Sequence, residues 1–157
     1  MDNKRIEITL HQQEGYAFRI EFGDGIEDLL SDEPAPLGSG NGPNPSKLLL
    51  AAIANCLAAS LTFALRKFGN QPGPITARIG GEVTRNEAGR WRIPKARVEI
   101  TLAEHPGEHK QLERVLAQFE DFCVVTQSVR DGIDVEVEVR DADGRVLLGD
   151  KSNEACG

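Results

Sequence analysis

Apolar and polar residues alternate over two segments near the beginning of the chain, residues 5–11 and 16–23. A period of two predicts β-strands with one buried face. The alternating apolar positions are Ile6, Ile8 and Leu10 in the first segment and Tyr16, Phe18, Ile20 and Phe22 in the second. A weaker strand is expected over residues 26–34, where Pro34 ends it.

A long helical segment follows a loop that is dense in Gly and Pro. Residues 46–68 contain neither Gly nor Pro, Asn44 fits the N-cap and Pro45 the first helical position, and Gly69 closes the segment. Its faces are apolar nearly all round, which places it in the core or in a subunit interface. Residues 48–65 approach the length of a membrane span, but their polar side chains and high Ala content favour a buried central helix.

The second half of the chain returns to strands and then to helices. A long hairpin begins at Ile75 and turns at residues 86–89, a second helix begins near Pro106, and a short helix is stopped by Gly132. The last strand carries Val135, Val137 and Val139, and turns at residues 141–144. Strand runs and helix runs are grouped rather than interleaved, which predicts an α+β fold with antiparallel sheets.

The length of 157 residues suits one domain, which we place at residues 1–150, followed by a polar tail at 151–157 that we expect to be loose. A formal net charge of -7 and a pI near 5.0 argue against a nucleic-acid partner. The first residues lack the apolar core of a secretory signal. Three cysteines without a dense pattern do not make a secreted disulfide framework, so we expect a cytoplasmic protein that is not membrane-bound.

Two cysteines are candidates for chemistry. Cys56 lies in the middle of the apolar helix, where a buried Cys is often a packing residue. Cys123 comes at the first turn of the short helix, where free N–H groups and the helix dipole lower a thiol pKa. Arg130 would add to this effect, and Glu120 would oppose it together with its neighbour Asp121. From local features alone, both cysteines are open to a packing role and to a reactive one.

Other candidate sites are weaker. Cys156, near the end of the polar tail, is expected to be an exposed bystander. His105 and His109 lack a third and fourth metal ligand, so we expect no metal site. The glycines of residues 38–45 match neither phosphate-binding pattern, which favours a flexible loop and no bound cofactor.

Two segments resemble the OsmC/Ohr family, the osmotically inducible and organic hydroperoxide resistance proteins. The run DEPAPLGSGNGPNPSKLLLAAIANCLAASL is similar to the family's Gly-rich loop and the helix that bears its first cysteine. FCVVTQSVRDGIDVEVEV is similar to the segment in which a second cysteine opens a short helix. The resemblance covers about residues 30–140, in the family's order and separation.

The resemblance implies a fold, a partner and an activity. It implies an intertwined α+β homodimer whose antiparallel sheets pack around buried central helices. It also implies thiol-dependent reduction of small apolar hydroperoxides in oxidative-stress defence, with Cys56 as the peroxidatic residue and Cys123 as the resolving one. An external dithiol would restore the pair, and no bound cofactor is expected.

The chain departs from the family at positions that normally activate the thiol. Ser46 stands where peroxidase members have a Glu, residues 23–25 read Gly-Asp-Gly where the family has an Arg, and Val124 replaces the usual Pro. Arg19 is the first candidate for a replacement cation, and the others are Arg66 and Arg92. The departures leave an alternative open, namely a non-catalytic dimer that binds a small ligand or senses redox state. A structural domain with two inert core cysteines ranks last.

Overall fold

The computed structural model describes residues 3–132, 138–140 and 146–148. The elements follow in the order β1 (Thr9–Gln12), β2 (Phe18–Glu21), β3 (Leu29–Ser31), α1 (Pro45–Lys67), β4 (Thr76–Gly81), β5 (Thr84–Arg85), β6 (Trp91–Arg92), β7 (Ala96–Thr101), a 3₁₀ turn (Pro106–Glu108), α2 (Leu112–Gln118), a second 3₁₀ turn (Phe119–Phe122), α3 (Val124–Asp131), β8 (Val139–Arg140) and β9 (Val146–Leu148).

The three expected N-terminal strands form one antiparallel sheet in the order β1-β2-β3, with Leu10 opposite Ile20 and Ile20 opposite Leu29. The first strand is shorter than predicted because it begins at Thr9. The expected burial of its alternating face is wrong for the single chain, where Ile6 is 82% exposed and Leu10 is 50% exposed. The described elements of the same chain leave that face uncovered.

The Gly-rich loop between β3 and α1 is not the flexible loop that its composition predicts. The buried Asp32 carboxylate accepts hydrogen bonds from the backbone N–H groups of Ser39 at 3.2 Å and Asn41 at 3.1 Å. Gly42 passes directly over the Leu30 carbonyl, an approach that leaves no space for a Cβ. The loop is therefore held against β3, and it fixes where the following helix begins.

The central helix α1 is confirmed with the predicted signals at both ends. The Asn44 side chain accepts a hydrogen bond from the Lys47 backbone N–H at 3.0 Å, Pro45 is the first helical residue, and Gly69 has a positive φ of 83°. The helix is long and apolar enough to cross a membrane, but it is the element on which the core is built. Its buried residues are Ile53, Ala54, Leu57, Ser60, Leu61, Ala64 and Leu65.

The predicted long hairpin is confirmed as β4 paired with β7, with Ala77 opposite Ile100 and Ile79 opposite Val98. The small β5-β6 ribbon extends its tip, and the Gly89 N–H donates to the Asn86 carbonyl in the expected turn. The apolar side of β4 and β7 packs against α1, so the hairpin forms one wall of the core.

The helix expected near Pro106 is divided into a 3₁₀ turn and the later helix α2. The division falls at Gln111, which has a left-handed backbone with φ of 52°. The short helix α3 is confirmed, ending at Gly132 with φ of 75°. The predicted valines at 135 and 137, the turn at 141–144 and the tail with Cys156 lie outside the described residues, as does the domain boundary at residue 150.

The core has two adjoining clusters between α1, the β4-β7 hairpin and the C-terminal helices. The first is centred on Leu65 and Val115, and the second on Ile53, Leu57 and Cys123. The fold class is α+β with small antiparallel sheets, as predicted. The second cluster contains a thiol, which brings chemistry into the core.

Candidate functional site

The two cysteines meet in the second core cluster. Cys56 projects from the middle of α1 and packs against Cys123, the N-cap residue of α3. Cys56 is half-buried and Cys123 is fully buried, and both are free thiols. A disulfide requires such contact together with Cα atoms about 4.4–6.8 Å apart. The structure thus brings together the two residues that the sequence singled out, whereas their catalytic roles stay predictions.

Polar groups surround the Cys123 sulfur on several sides. The Thr126 hydroxyl, one turn along α3, is hydrogen-bonded to this sulfur at 2.9 Å. Burial raises the pKa of the Cys123 thiol, but hydrogen bonds from Cys56, from the side chain and backbone of Thr126 and from Ser60 outweigh burial and bring the pKa below its ordinary value of 9.0. The thiolate is the nucleophilic form of Cys, so this environment favours a reactive sulfur.

An open pocket of about 440 Å³ reaches the Cys56 side of the pair. We call it the Cys56 pocket, and its lining residues are Cys56, Ala59, Ser60, Phe63 and Phe122. The rings of Phe63 and Phe122 meet edge to face with centroids 5.0 Å apart, a favoured aromatic geometry. The Lys67 ammonium lies 4.9 Å from the centroid of the Phe122 ring. The pocket therefore joins an accessible thiol to an apolar wall with a cation beside it.

The pKa of Arg130 is raised mainly by its hydrogen bonds to Glu120 and by the charge of that carboxylate, and Cys123 adds a smaller effect. Glu120 forms a two-pronged ion pair with Arg130 at 3.0 and 3.2 Å. The sequence suggested that Arg130 lowers the pKa of Cys123 and that Glu120 opposes this effect. The structure joins these two residues in one ion pair. Because Glu120 offsets the charge of Arg130, hydrogen bonds are the main stabilisers of the sulfur.

Arg19 does not line the Cys56 pocket within one chain. Its guanidinium pairs with Asp28 in the N-terminal sheet at 2.6 Å. The Arg92 guanidinium donates a hydrogen bond to the Trp91 carbonyl in the outer ribbon. Ser46 lies at the start of α1, and the helical rise places it about 15 Å from Cys56. A role for Arg19 at the thiol requires a second chain and stays a prediction.

Sequence reasoning missed the polar and aromatic residues that complete the site. Ser60, Phe63 and Lys67 follow Cys56 at spacings of four, seven and eleven, which is one face of a helix. Thr126 follows Cys123 by three, so it lies one turn further along α3. These spacings were visible in the sequence, but they had no meaning until the two helices were known to meet.

The histidines do not form a metal centre in the described part of the chain, where no group of three metal-binding side chains comes together. His109 is buried beside Glu104, with its Nε2 at 3.6 Å from a carboxylate oxygen. The other Glu104 oxygen accepts a hydrogen bond from the Gly73 backbone N–H. Through this pair the loop after β7 is joined to the loop after α1.

Two features can be compared with known protein families. One is the set of antiparallel sheets around a central helix, and the other is the contact between a cysteine of α1 and a cysteine at the start of α3. The family model described as OsmC-like protein matches residues 38–138, which is more than half of the chain. The chain therefore belongs to the OsmC-like protein family, of which it is a divergent member. A search of curated protein sequences gives no match.

Solved structures support this assignment at the level of the fold. An OsmC-like protein of unknown function from Vibrio cholerae aligns with a TM-score of 0.65 at 18% identity, covering 80% of this chain and 94% of that one. An organic hydroperoxide resistance protein OsmC from Legionella pneumophila gives 0.65 at 16%, covering 86% and 96%. The organic hydroperoxide resistance protein OhrB of Bacillus subtilis gives 0.60 at 20%, covering 84% and 95%.

Proposed function

We propose that this protein reduces organic hydroperoxides with Cys56 and Cys123 as a redox pair and an external dithiol as the electron donor. The observation that carries the proposal is the position of Cys56, which lies on the wall of an open pocket and in contact with a second, buried thiol. Membership of a family whose named relatives include hydroperoxide resistance proteins supports a redox or stress role.

The two thiols differ in access, and this difference supports the order in which we propose that they react. The Cys56 sulfur attacks the terminal peroxide oxygen, so that an S–O bond forms, the O–O bond breaks and an alcohol leaves. Cys123, behind it, then displaces the oxygen of the Cys56 sulfenic acid as water and forms a disulfide. An external dithiol reduces that disulfide and is itself oxidised, which returns both thiols.

The walls of the Cys56 pocket favour an organic peroxide over hydrogen peroxide. Phe63, Phe122 and Ala59 offer apolar surface that an alkyl or aryl group would cover, whereas hydrogen peroxide has no such group. We expect cumene hydroperoxide to react with a higher kcat/KM than hydrogen peroxide. Cytoplasmic dithiols are the expected reductants.

A second copy of the chain is the partner that we propose. Apolar side chains on the outer face of α1 and in the N-terminal sheet are exposed in the single chain, among them Leu49 and Leu10. Exposed apolar surface of this extent marks an interaction site. In a homodimer these faces would be covered, and a neighbouring chain could bring Arg19 to the pocket.

Peroxide consumption by the pure protein with a dithiol reductant tests the proposal. We expect turnover of cumene hydroperoxide by the wild type and by Cys156→Ser, and none by Cys56→Ser. A different result would establish the non-catalytic alternative. In that case the wild type, with both thiols reduced, reacts with no hydroperoxide but still binds an apolar ligand in the Cys56 pocket.

A further inference from the structure

A second pocket, of about 480 Å³, lies between α1, the start of β7 and α3. Among the described residues, none lines both this pocket and the Cys56 pocket, and the proposed redox chemistry makes no use of it. Its size is within the range of small-molecule sites, about 300–1,000 Å³. We call it the Lys95 pocket, and the residues that characterise it are Ile53, Leu57, Lys95, Arg97, Val98 and Val129.

The floor of the Lys95 pocket is aliphatic. Ile53 and Leu57 come from the buried face of α1 and belong to the core cluster that contains Cys123. Val98 of β7 and Val129 of α3 complete the floor, and Val129 is 37% exposed to solvent. Because three elements of one chain enclose this apolar surface, a flexible hydrocarbon chain fits it better than the flat face of another protein.

Positive charge is in excess at the mouth of the pocket. Arg130 lines it from α3, but the two-pronged ion pair with Glu120 neutralises this guanidinium. Arg97 has only a long contact of 3.7 Å with Glu99, between two exposed side chains. Lys95 has no ion-pair or side-chain hydrogen-bond partner in the part of the chain that the structure describes. A chain with a formal net charge of -7 thus presents two available cations beside an aliphatic floor.

A neighbouring depression shares the cations but not the floor. Lys95 lines it together with Arg78 and the carboxylates of Glu82 and Glu99. Pro94 is its only large apolar side chain among the described residues. An anion with a hydrocarbon tail would therefore find less complementary surface there than in the Lys95 pocket.

We propose that the Lys95 pocket binds a single-chain amphiphilic anion, namely a carboxylate with an unbranched aliphatic tail of medium length. The carboxylate pairs with Lys95 and Arg97 at the mouth, and the tail covers the floor formed by Ile53, Leu57 and Val129. This binding site is additional to the Cys56 pocket, and it does not depend on the proposed peroxidase activity.

Isothermal titration of the reduced wild type with hexanoate, octanoate and decanoate tests the site. We expect one carboxylate per chain, with a Kd that falls about threefold for each added methylene, because each buried CH₂ adds to the hydrophobic gain. The uncharged 1-decanol has the same tail as decanoate but cannot form the ion pair. It should bind at least about tenfold more weakly than decanoate.

Two matched pairs of variants locate the ligand. Lys95→Gln should raise the Kd for decanoate at least about fivefold, whereas Arg78→Gln, in the neighbouring depression, should change it less than about twofold. Val129→Thr keeps the size of the side chain but puts a hydroxyl in the floor, so the Kd should rise at least about threefold. Val124→Thr, at a 75% exposed position of the same helix, should bind as the wild type does.

The proposal is overturned by a wild type that shows no saturable binding of decanoate, or by a Kd that does not change with tail length. It is also overturned if Arg78→Gln weakens binding as much as Lys95→Gln, which would place the anion in the neighbouring depression. A loss of binding in Phe122→Ala would place the ligand in the Cys56 pocket instead. Since no peroxide is present, each of these results leaves the peroxidase proposal standing.

Discussion

Cys56, in the middle of α1, lies against Cys123, the residue that caps the N-terminus of α3. One sulfur of this pair is on the wall of an open pocket, and the other is fully buried behind it. Cys56 is thus the thiol that is accessible from the pocket, and Cys123 is the thiol that is hydrogen-bonded in the core. The outer thiol can meet a substrate, and the inner thiol has the environment that stabilises a thiolate.

The lowered pKa of Cys123 predicts how stability changes with pH. The unfolded chain holds the thiol proton more tightly than the folded one, so the contribution of Cys123 is fully present above 9.0 and is lost as the pH falls through the lowered folded value. Urea unfolding under reducing conditions should show this dependence in the wild type and a weaker one in Cys123→Ser. A parallel pH dependence in the two proteins would contradict it.

The aromatic wall of the Cys56 pocket predicts a change in substrate preference. Phe122→Ala removes the edge-to-face contact with Phe63 and part of the apolar wall. Because an aromatic contact between Phe122 and the cumene ring would be worth about 0.5–1.5 kcal/mol, kcat/KM for cumene hydroperoxide should fall up to about tenfold. Hydrogen peroxide kinetics should hardly change, and Trp91→Ala, on the outer ribbon, is the control. An equal loss for both peroxides would show that Phe122 acts on the thiol rather than on the substrate.

The uncovered face of α1 predicts a homodimer. Ala52 is exposed on this face, and a Glu at this position would put a charge in an apolar interface. Sedimentation at micromolar concentration should show a dimer for the wild type and a weakened one, by at least about tenfold in Kd, for Ala52→Glu. Glu87→Ala, in the exposed turn before β6, should remain dimeric. A monomeric wild type would remove the dimer proposal.

The Gly-rich loop predicts a specific sensitivity to side-chain size. A Cβ at Gly42 would overlap the Leu30 carbonyl, whereas a Cβ at Gly107 would meet nothing within 4 Å. Gly42→Ala should lower the free energy of unfolding by about 1–3 kcal/mol, as overpacking does, and Gly107→Ala should be nearly neutral. Urea unfolding of both variants makes the comparison. Equal effects would mean that the loop is free to move away from β3.

Much of the fold could be predicted from local signals in the chain. The boundaries of α1 follow from Asn44, Pro45 and Gly69, each of which acts on its own neighbours. The division of the second helix at Gln111 could not be predicted, because a left-handed backbone is uncommon at a residue such as Gln and has no signature in composition. Alternation in the first strand predicted burial that a single chain does not supply.

The candidate site could be predicted only from the resemblance of two separate segments of the chain to a known family. Nothing local to Cys56 distinguishes it from a packing residue, and its contact with Cys123 depends on how α1 and α3 cross. The ordered loop was also missed, because the carboxylate that organises it, Asp32, precedes the glycines and looks like a surface residue. Side chains such as Ser60 join the candidate site only through neighbours that are distant in sequence.

The central claim is that Cys56 and Cys123 form a working redox pair within one chain. Its most direct test is to treat the reduced protein with one equivalent of cumene hydroperoxide and map the products by peptide mass spectrometry. We predict an intramolecular disulfide that joins the Cys56 and Cys123 peptides with the loss of two hydrogens, and its reversal by a dithiol. A Cys56 that remains a thiol, or is oxidised to sulfinic acid while Cys123 stays reduced, would contradict the claim.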